Sequence, residues 1–416
     1  MSRSLDWLYP GLGLKRWILL ACAGGVLLVY SGLFAIGVFW SGTLLDGLGM
    51  GWLQGRHWAA VLLAFDGLLF GAIMLVVGVR RVWVFQQTSP ETVGEMRTAA
   101  RLARGPRVVA VGGGNGLAAL LRGLKTHTSN LTAVVTMADD GGSSGLLRRH
   151  MGMPPPGDLR NCLVALADDE SVMSRLFKYR FPEDGGLQGH SFGNLFMAAL
   201  TEVTGDFELA VQESTQVLKV RGRVLPSTLD DVVLHAQLEG GGRVSGESAV
   251  TAADRLPRRV WLTPDPPRAL PQAVSAIAGA DLVVLGPGSL YTSVIPNILI
   301  PEIRDALLST RAWVVYVCNV MTQAGETDGY SAADHLDALQ RHGLTGGIDV
   351  ILVNDEPVEG ELVESYGREG SRPVVVDAAR IRDMGVRVAH EAVIAQSQVV
   401  RHDPERLARA VLHLVR

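Results

Sequence analysis

The sequence predicts an α/β protein: a Rossmann-like, mostly parallel sheet with helices on both faces, preceded by a two-helix transmembrane hairpin. From residue 107 onward, short apolar runs rich in β-branched residues alternate with helical stretches. Buried parallel strands have this composition because both of their faces are covered. Two longer apolar runs come first. We divide the chain into an N-terminal segment at 1–81, a linker helix at 82–105 and a main domain at 106–416.

The hairpin prediction rests on apolar runs at about 17–40 and 58–79, each near the roughly 20 residues that cross a bilayer core. A cleavable signal peptide is the alternative for the first run, but its apolar region would be shorter. Basic residues lie outside both runs, whereas the connecting loop holds only Arg56. The positive-inside rule then predicts a multi-pass protein of the inner or cell membrane with its main domain in the cytoplasm. The flanking basic residues are Arg3, Lys15, Arg16, Arg80 and Arg81.

Asp66 lies in the middle of the second run and precedes Gly67 and Gly71. An ionisable residue within a span is a functional candidate, and the glycine spacing suits a close helix contact. With two spans per chain, we favour a contact in a homo-oligomer over transport.

The linker is predicted to be a helix that begins with Ser89 as N-cap and Pro90 at the first helical position. It serves as a spacer or lies on the anionic membrane face, and we favour the spacer.

Composition excludes some classes of function. The net charge of −4 argues against a nucleic-acid partner. The three cysteines show no disulfide framework and no metal-ligand spacing, as expected in a reducing cytoplasm.

A glycine turn at Gly112–Gly116 follows the first predicted strand, residues 107–111, and precedes a helical run at 117–121. Backbone N–H groups at such a helix start bind phosphate, and glycine permits close approach. A nicotinamide enzyme is the alternative, but Leu117 stands where its fingerprint has a third glycine. The candidate ligand residues here are Gly112, Gly113, Gly114, Asn115 and Gly116.

The second predicted strand, residues 131–137, ends at paired aspartates and a serine-containing glycine turn. Carboxylates there bind a cation or ribose hydroxyls, and the serines donate to phosphate; an acidic surface turn is the alternative. The candidates are Asp139, Asp140, Gly141, Ser143 and Ser144.

Two further segments open helices. Asp158 is predicted to be an N-cap, whereas Arg160 with Asn161 in a first helical turn suits an anionic ligand. His190 and Asn194 flank Ser191; we favour ligand contact or helix capping there over a nucleophilic Ser–His pair.

Later strands are predicted at 280–285, 312–318, 350–353 and 373–376, and a β-rich insertion at about 224–262. The carboxyl ends of parallel strands hold ligands in open α/β sheets. The polar loops after the first two of these strands therefore contribute Gly288, Ser289, Tyr291, Asn319 and Thr322.

Residues 107–402 resemble the YvcK-like family of gluconeogenesis factors, relatives of the CofD-like 2-phospho-L-lactate transferases of coenzyme F420 synthesis. The resemblance rests on the glycine turn with Leu120–Lys125 and on further motifs along the chain. These are residues 139–145, 155–161, 189–194, 286–293, 296–297 and 318–327.

The resemblance implies binding of UDP-N-acetylglucosamine by a regulator of cell shape, envelope or carbon metabolism. It implies that Gly112–Gly116 holds the diphosphate and that Tyr366 and Arg401 contact the ligand. Asn115 departs from the family's usual threonine and replaces a hydroxyl donor by an amide in the glycine turn. The hairpin is absent from the common soluble form of the family, so the protein partner is open.

An Mg²⁺-dependent transferase is the alternative, with a nucleotide-diphosphate donor and a deazaflavin acceptor. Only under this transferase alternative would Asp139 and Asp140 be metal ligands. Under the favoured hypothesis we expect no metal site, and we assign no catalytic residue.

Overall fold

The computed structural model describes residues 14–47, 54–86, 97–167, 172–182, 186–187, 189–396 and 399–414. The chain divides into two compact units, Met1–Arg101 and Leu102–Arg416. The predicted N-cap at Ser89 and the basic residue Arg3 lie outside the described residues. Of the predicted linker, residues 97–102 are helical.

The first unit contains two long helices, α1 (Leu14–Gly47) and α2 (Gln54–Gln86). Their segments Arg16–Trp40 and Ala59–Val82 are long and apolar enough to cross a bilayer. In each helix only 11% of the most apolar stretch is buried, so these helices do not form the core of a globular domain.

Small residues let α1 and α2 pack closely. A Cβ added to Gly24 would lie 2.8 Å from the carbonyl oxygen of Gly71, and one on Gly78 would lie 2.7 Å from the backbone nitrogen of Ala21. Gly71 of the predicted glycine pair therefore makes its contact within the chain. Asp66 lies on the exposed side of α2.

The second unit is built on a seven-stranded sheet in the order β10-β9-β8-β7-β1-β2-β3. All of its neighbouring strands run parallel, so the predicted fold class is confirmed. Its strands are β1 (Val108–Gly112), β2 (Leu131–Val135), β3 (Arg223–Pro226), β7 (Leu282–Leu285), β8 (Trp313–Val317), β9 (Val350–Asn354) and β10 (Arg387–Glu391).

Helices surround this sheet and connect its strands. They are α3 (Gly114–Leu124), α4 (Gly142–Met151), α5 (Gly157–Leu166), α6 (Val172–Lys178), α7 (Phe192–Thr204), α8 (Phe207–Val217), α9 (Glu247–Thr251), α10 (Pro271–Ala278), α11 (Ile295–Ile298), α12 (Pro301–Ser309), α13 (Ala332–Leu339), α14 (Gly360–Arg368), α15 (Ala378–Asp383) and α16 (Pro404–His413). Wider helical turns occupy Leu290–Val294 and Gln340–Leu344.

The core lies on both faces of the central strands. Every residue of β1, β2 and β7 is buried, which explains why their sequences are apolar without alternation.

The prediction of a strand at residues 373–376 was wrong. Pro373 and Val375 make only isolated bridges, to Met321 and Ser331. The edge strand is β10, which is only partly buried along its length. Its mixed composition, with Arg387 and His390, does not form an apolar run.

A separate antiparallel sheet, in the order β5-β4-β6, lies within the predicted insertion. Its strands are β4 (Val233–Leu238), β5 (Arg243–Ser245) and β6 (Pro257–Thr263). Residues 224–226, the start of the predicted segment, belong instead to β3 of the main sheet. A small hairpin of β11 (Ile394–Gln396) and β12 (Val400–His402) precedes α16.

The strand order places a switch point between β1 and β7. The chain builds β2 and β3 on one side of β1 and returns to build β7 to β10 on the other. In open α/β sheets the crevice outside the carboxyl ends at such a point binds ligands.

Candidate functional site

The glycine turn lies at the carboxyl end of β1, where α3 begins. Gly113 is the N-cap of α3 and has no side chain to satisfy the first N–H groups. A Cβ on Gly113 would lie 2.5 Å from Oδ2 of Asp158, and one on Gly116 would lie 2.5 Å from the carbonyl oxygen of Pro287. Glycine is therefore required at these two positions, because the Asp158 carboxylate and the loop after β7 leave no space for a Cβ atom.

Asp158 points at the start of α3. The backbone N–H of Gly114 faces its carboxylate and favours the charged form, so an anion already lies where the helix N-terminus favours one. The predicted N-cap role was wrong, because the N-cap of α5 is Pro156 and Asp158 lies in the first turn. Burial and the nearby charge of Asp139 raise its pKa to about 6.

Glu247 joins these carboxylates from the insertion. It lies in the first turn of α9. Burial, then the charges of Asp139, Asp158 and Asp140, raise its pKa to about 8. Sequence reasoning missed Glu247 because it is far along the chain; the available signal was an acid in a helical turn directly after a glycine.

Asp139 and Asp140 have different surroundings although they are adjacent. Oδ1 of Asp139 accepts from the N–H of Gly141 at 2.9 Å, and its other oxygen faces Gly157, where a Cβ would lie 2.8 Å away. Oδ1 of Asp140 accepts from the N–H of Ser248 at 2.9 Å. Asp139 thus faces the carboxylate cluster, whereas Asp140 holds the start of α9.

Ser143, His190 and Asn194 come together although 47 residues or more separate Ser143 from the other two. The hydroxyl of Ser143 lies 2.9 Å from Nδ1 of His190 and accepts from Nδ2 of Asn194 at 3.0 Å. Ser191 caps α7, with its hydroxyl accepting from the N–H of Asn194. The adjacent His190–Ser191 pair is therefore not a nucleophile and its base. Ser144, the other candidate serine of this turn, lies beside Gly157.

Arg160 lies close enough to Asp158 and Asp139 to interact with their charges. Burial lowers its pKa, and the charge of Arg180 lowers it further, while Asp158 and Asp139 oppose the change. Its Nη2 donates to Oδ1 of Asn161 at 2.7 Å. Its Nε is buried without a hydrogen-bond partner among the described residues, and an unsatisfied donor of this kind is suited to an anionic ligand.

The loop after β7 closes the other side of the crevice. A Cβ on Gly288 would lie 3.3 Å from the carbonyl oxygen of Gly113, and the hydroxyl of Ser289 donates to Gln323 at 2.7 Å. Buried Glu326 accepts from Thr292 and from the N–H of Tyr291; burial raises its pKa to about 7.

Three candidates have side chains bonded within the protein. Tyr291 is fully buried, with its hydroxyl 2.9 Å from that of Tyr330. The hydroxyl of Thr322 accepts from the N–H of Arg372. The hydroxyl of Tyr366 accepts from the N–H of Val400 on β12.

The remaining candidates are more accessible. Asn115 is exposed at the start of α3, and Arg401 is exposed on β12. Asn319 lines a cavity of about 220 Å³ at the carboxyl ends of β8 and β9. Tyr366 and Arg401 both lie at β12, which packs against α3.

The family of this chain follows from comparison with known proteins. The model of the CofD family, described as 2-phospho-L-lactate transferase, matches residues 108–394. This chain belongs to that family. A putative gluconeogenesis factor of Nostoc sp. is 44% identical over 425 residues, 99% of this chain and 92% of the relative. The gluconeogenesis factor of Bacillus subtilis is 47% identical over 312 residues, 75% of this chain and 98% of the relative.

Solved structures agree with this assignment. A crystal structure of a Bacillus halodurans protein matches this CofD-family chain with 47% identity and a TM-score of 0.72. The match covers 74% of this chain and all of that one. The chain is thus a YvcK-like gluconeogenesis factor within the CofD family, and relatives differ in whether they extend beyond the main domain.

The Mg²⁺ that the transferase alternative requires is not supported by the side chains present. Among the described residues, no group of three or more His, Cys, Asp or Glu side chains is arranged to hold a metal ion. Asp140 is already committed to Ser248.

Proposed function

We propose that this CofD-family protein is a membrane-tethered regulator whose cytoplasmic domain binds UDP-N-acetylglucosamine and signals to cell-shape, envelope or carbon metabolism. The observation that carries the proposal is the crevice at β1 and β7. There the α3 N-terminus, the Asp139–Ser144 turn, the start of α5 and the loop after β7 converge. The description of the relatives as gluconeogenesis factors supports a regulatory role.

In this proposal the diphosphate takes the position of the carboxylate of Asp158. That carboxylate faces the N–H of Gly114, which favours its charged form, and a phosphate oxygen has the same requirements at a helix start. Ligand binding then replaces one anion by another, with Asp158 turning aside or keeping a proton. Its pKa of about 6 makes the protonated form accessible near neutral pH.

Polar groups around the crevice suit the rest of a nucleotide-sugar. Buried oxygens of Asn194 and Asn297 have no hydrogen-bond partner among the described residues, and Arg160 has a free donor at Nε. Sugar and ribose hydroxyls donate and accept, so they satisfy such atoms.

Calorimetric titration of the full-length protein in detergent with UDP-N-acetylglucosamine tests the proposal. We expect saturable binding that is competed by UDP and lost in Gly113→Ala, whose new Cβ would occupy the space beside Asp158. Gly360→Ala is the matched control, because nothing lies within 4 Å of a Cβ there. An absence of saturable heat from folded wild-type protein would refute nucleotide-sugar binding.

The transferase remains a second candidate because the matched family model is that of a 2-phospho-L-lactate transferase. Two carboxyl groups with pKa values of about 6 and 8 also suit proton transfer near neutral pH. Incubation with a phospholactyl nucleotide-diphosphate donor and a deazaflavin acceptor tests it. Product formed by wild type and lost in Asp158→Asn would favour the enzyme over the regulator.

A further inference from the structure

The edge of the main sheet opposite the candidate site is basic. We call it the amino edge and define it by the residues at or directly before the amino ends of the strands. Its arginines outnumber its acids, although the whole chain carries a net charge of −4. The charged members are Arg107, Arg221, Arg223, Arg311, Arg387, Asp281 and Asp349.

The two acids of the amino edge already have partners. Asp281 is paired with Arg107, with 2.6 Å between Oδ1 and Nη2. Oδ2 of Asp349 accepts from the N–H of Val314 at 2.8 Å. Arg221, Arg311 and Arg387 are exposed beside them, so the surplus of positive charge faces solvent.

Large apolar side chains lie among these arginines. Trp313 is 38% exposed and Leu308, at the end of α12, is 44% exposed. The guanidinium of Arg387 lies 5.3 Å from the ring centre of Trp313. Tryptophan next to arginine is the combination found where proteins meet the headgroup region of a bilayer.

The amino edge is open to a partner. A cavity of about 500 Å³ lies at the amino ends of β1, β2 and β3 and is lined by Arg107 and Arg223. A second, of about 370 Å³, is lined by Leu308, Arg311 and Trp313. The ends of these strands are therefore not covered by the helices around the sheet.

The carboxyl edge lacks this surplus of positive charge. Asp139, Asp140 and Asp158 gather there beside Arg160, and Asp355 is exposed just after β9. An anionic surface therefore attracts the amino edge more strongly than the carboxyl edge.

The chain also enters the sheet at the amino edge. The segment before β1 is fixed there, because Nδ2 of Asn130 donates to the carbonyl oxygens of Ala103 at 3.0 Å and Gly105 at 2.7 Å. The apolar helices precede this segment in the chain.

We propose that the amino edge is a docking surface for an anionic lipid bilayer, with Trp313 and Leu308 at the headgroups and the surrounding arginines on the lipid phosphates. This inference rests on the proposed membrane tether. The candidate ligand site then opens away from the bilayer.

Fluorescence quenching in nanodiscs tests the proposal with the full-length protein. A bimane probe is placed at Leu308→Cys, or at Val375→Cys as the matched control, both in a Cys22→Ser background because Cys162 and Cys318 are buried. Val375 is 68% exposed and pairs with Ser331, beyond the carboxyl end of β8. The quencher is a lipid with a nitroxide on its headgroup.

We expect the probe at 308 to be quenched several-fold more strongly than the probe at 375 in discs containing phosphatidylglycerol. The difference should shrink in phosphatidylcholine discs and at about 1 M salt, where screening is short-ranged. Equal quenching at the two positions, or stronger quenching at 375, would overturn the docking surface while the protein stays in the disc. Failure of the protein to float with vesicles would overturn the tether and the docking surface together.

Charge reversal provides a second readout. Arg311→Glu/Arg387→Glu should reduce quenching at 308, whereas Arg258→Glu/Arg268→Glu, the same change in charge at exposed positions elsewhere, should leave it unaltered. Equal effects of the two double variants would contradict a surface built on the amino edge. If both double variants keep the wild-type affinity for UDP-N-acetylglucosamine, the change in quenching reports on membrane docking and not on ligand binding.

Discussion

At the scale of single residues, the candidate site is defined by the carboxylate of Asp158, which lies beside the glycine turn. Gly113 leaves room for Asp158, and the N–H of Gly114 favours the charged form of its carboxylate. The sequence indicated an anion site at this turn, and the site contains an anion of the protein itself. Under the proposed function, the ligand would compete with the side chain of Asp158 for the helix start.

Gly113→Ala should destabilise the domain. The added methyl group would lie 2.5 Å from Asp158 and 2.7 Å from Thr136, and overpacking of this kind costs about 1–3 kcal/mol. Urea unfolding followed by circular dichroism measures the change. Gly360→Ala, with open space around its Cβ, should stay within about 0.5 kcal/mol of wild type; equal losses in both variants would contradict the packing argument.

Glu247 should make the stability depend on pH. Its pKa of about 8 in the folded protein exceeds the ordinary value of 4.5, so the folded state holds a proton that the unfolded chain has released. The free energy of unfolding therefore falls as pH rises between about 4.5 and 8. Glu247→Gln should be more stable than wild type at pH 8, by on the order of 1 kcal/mol after solvent screening.

Urea unfolding at pH 5 and pH 8 checks this expectation. The two proteins should differ little at pH 5, where Glu247 keeps its proton, and the variant should show the flatter profile. Glu361→Gln, at an exposed position on α14, is the control. Identical profiles for wild type and Glu247→Gln would show that the carboxyl is not held protonated.

At the scale of elements, several hydrogen bonds attach the insertion to the rest of the main domain. Asp140 accepts from the N–H of Ser248 at 2.9 Å, and the N–H of Val260 donates to Nε2 of His342 at 3.1 Å. The first attachment holds α9, and with it Glu247, at the carboxylate cluster. The insertion is therefore part of the candidate site.

Asp140→Ala should release the start of α9. A hydrogen bond to a charged group contributes about 1.5–3 kcal/mol, so amide hydrogen exchange of residues 246–251 should accelerate while β1 and β2 stay protected. Mass-spectrometric exchange measures it, with Asp355→Ala, an exposed aspartate after β9, as control. Unaltered exchange at 246–251 would show that Asp140 does not anchor the insertion.

Prediction succeeded for elements with a local signal. β1, β2, β7, β8 and β9 are continuous apolar runs, and the sequence located all five. β10 lacks that signal because its residues are only partly buried at the edge of the sheet. Residues 373–376 form an apolar run, but they make only isolated bridges and do not pair with a strand.

At the scale of the whole molecule, the chain consists of two units, Met1–Arg101 and Leu102–Arg416. The Bacillus subtilis relative is matched over 98% of its length by three quarters of this chain. A domain of that extent therefore exists as a whole protein in a relative with 47% identity.

Residues 102–416 should fold alone and bind the same ligand. The core and all candidate ligand residues lie in that unit, so its affinity for UDP-N-acetylglucosamine should equal that of the full chain within about twofold. Parallel calorimetric titrations compare the two. Weaker binding by the folded fragment would mean that the N-terminal segment contributes to the site.

By itself, the sequence determined the α/β class, the glycine turn at a strand end, the two apolar helices and the family resemblance. These features depend on short-range patterns of burial and backbone conformation. The tertiary structure alone decided that Glu247 joins Asp139 and Asp158, that Ser143 rather than Ser191 pairs with His190, and that Asp158 faces Gly114. Such contacts join residues far apart in the chain, and their pKa values depend on burial and on neighbouring charges, which no local pattern records.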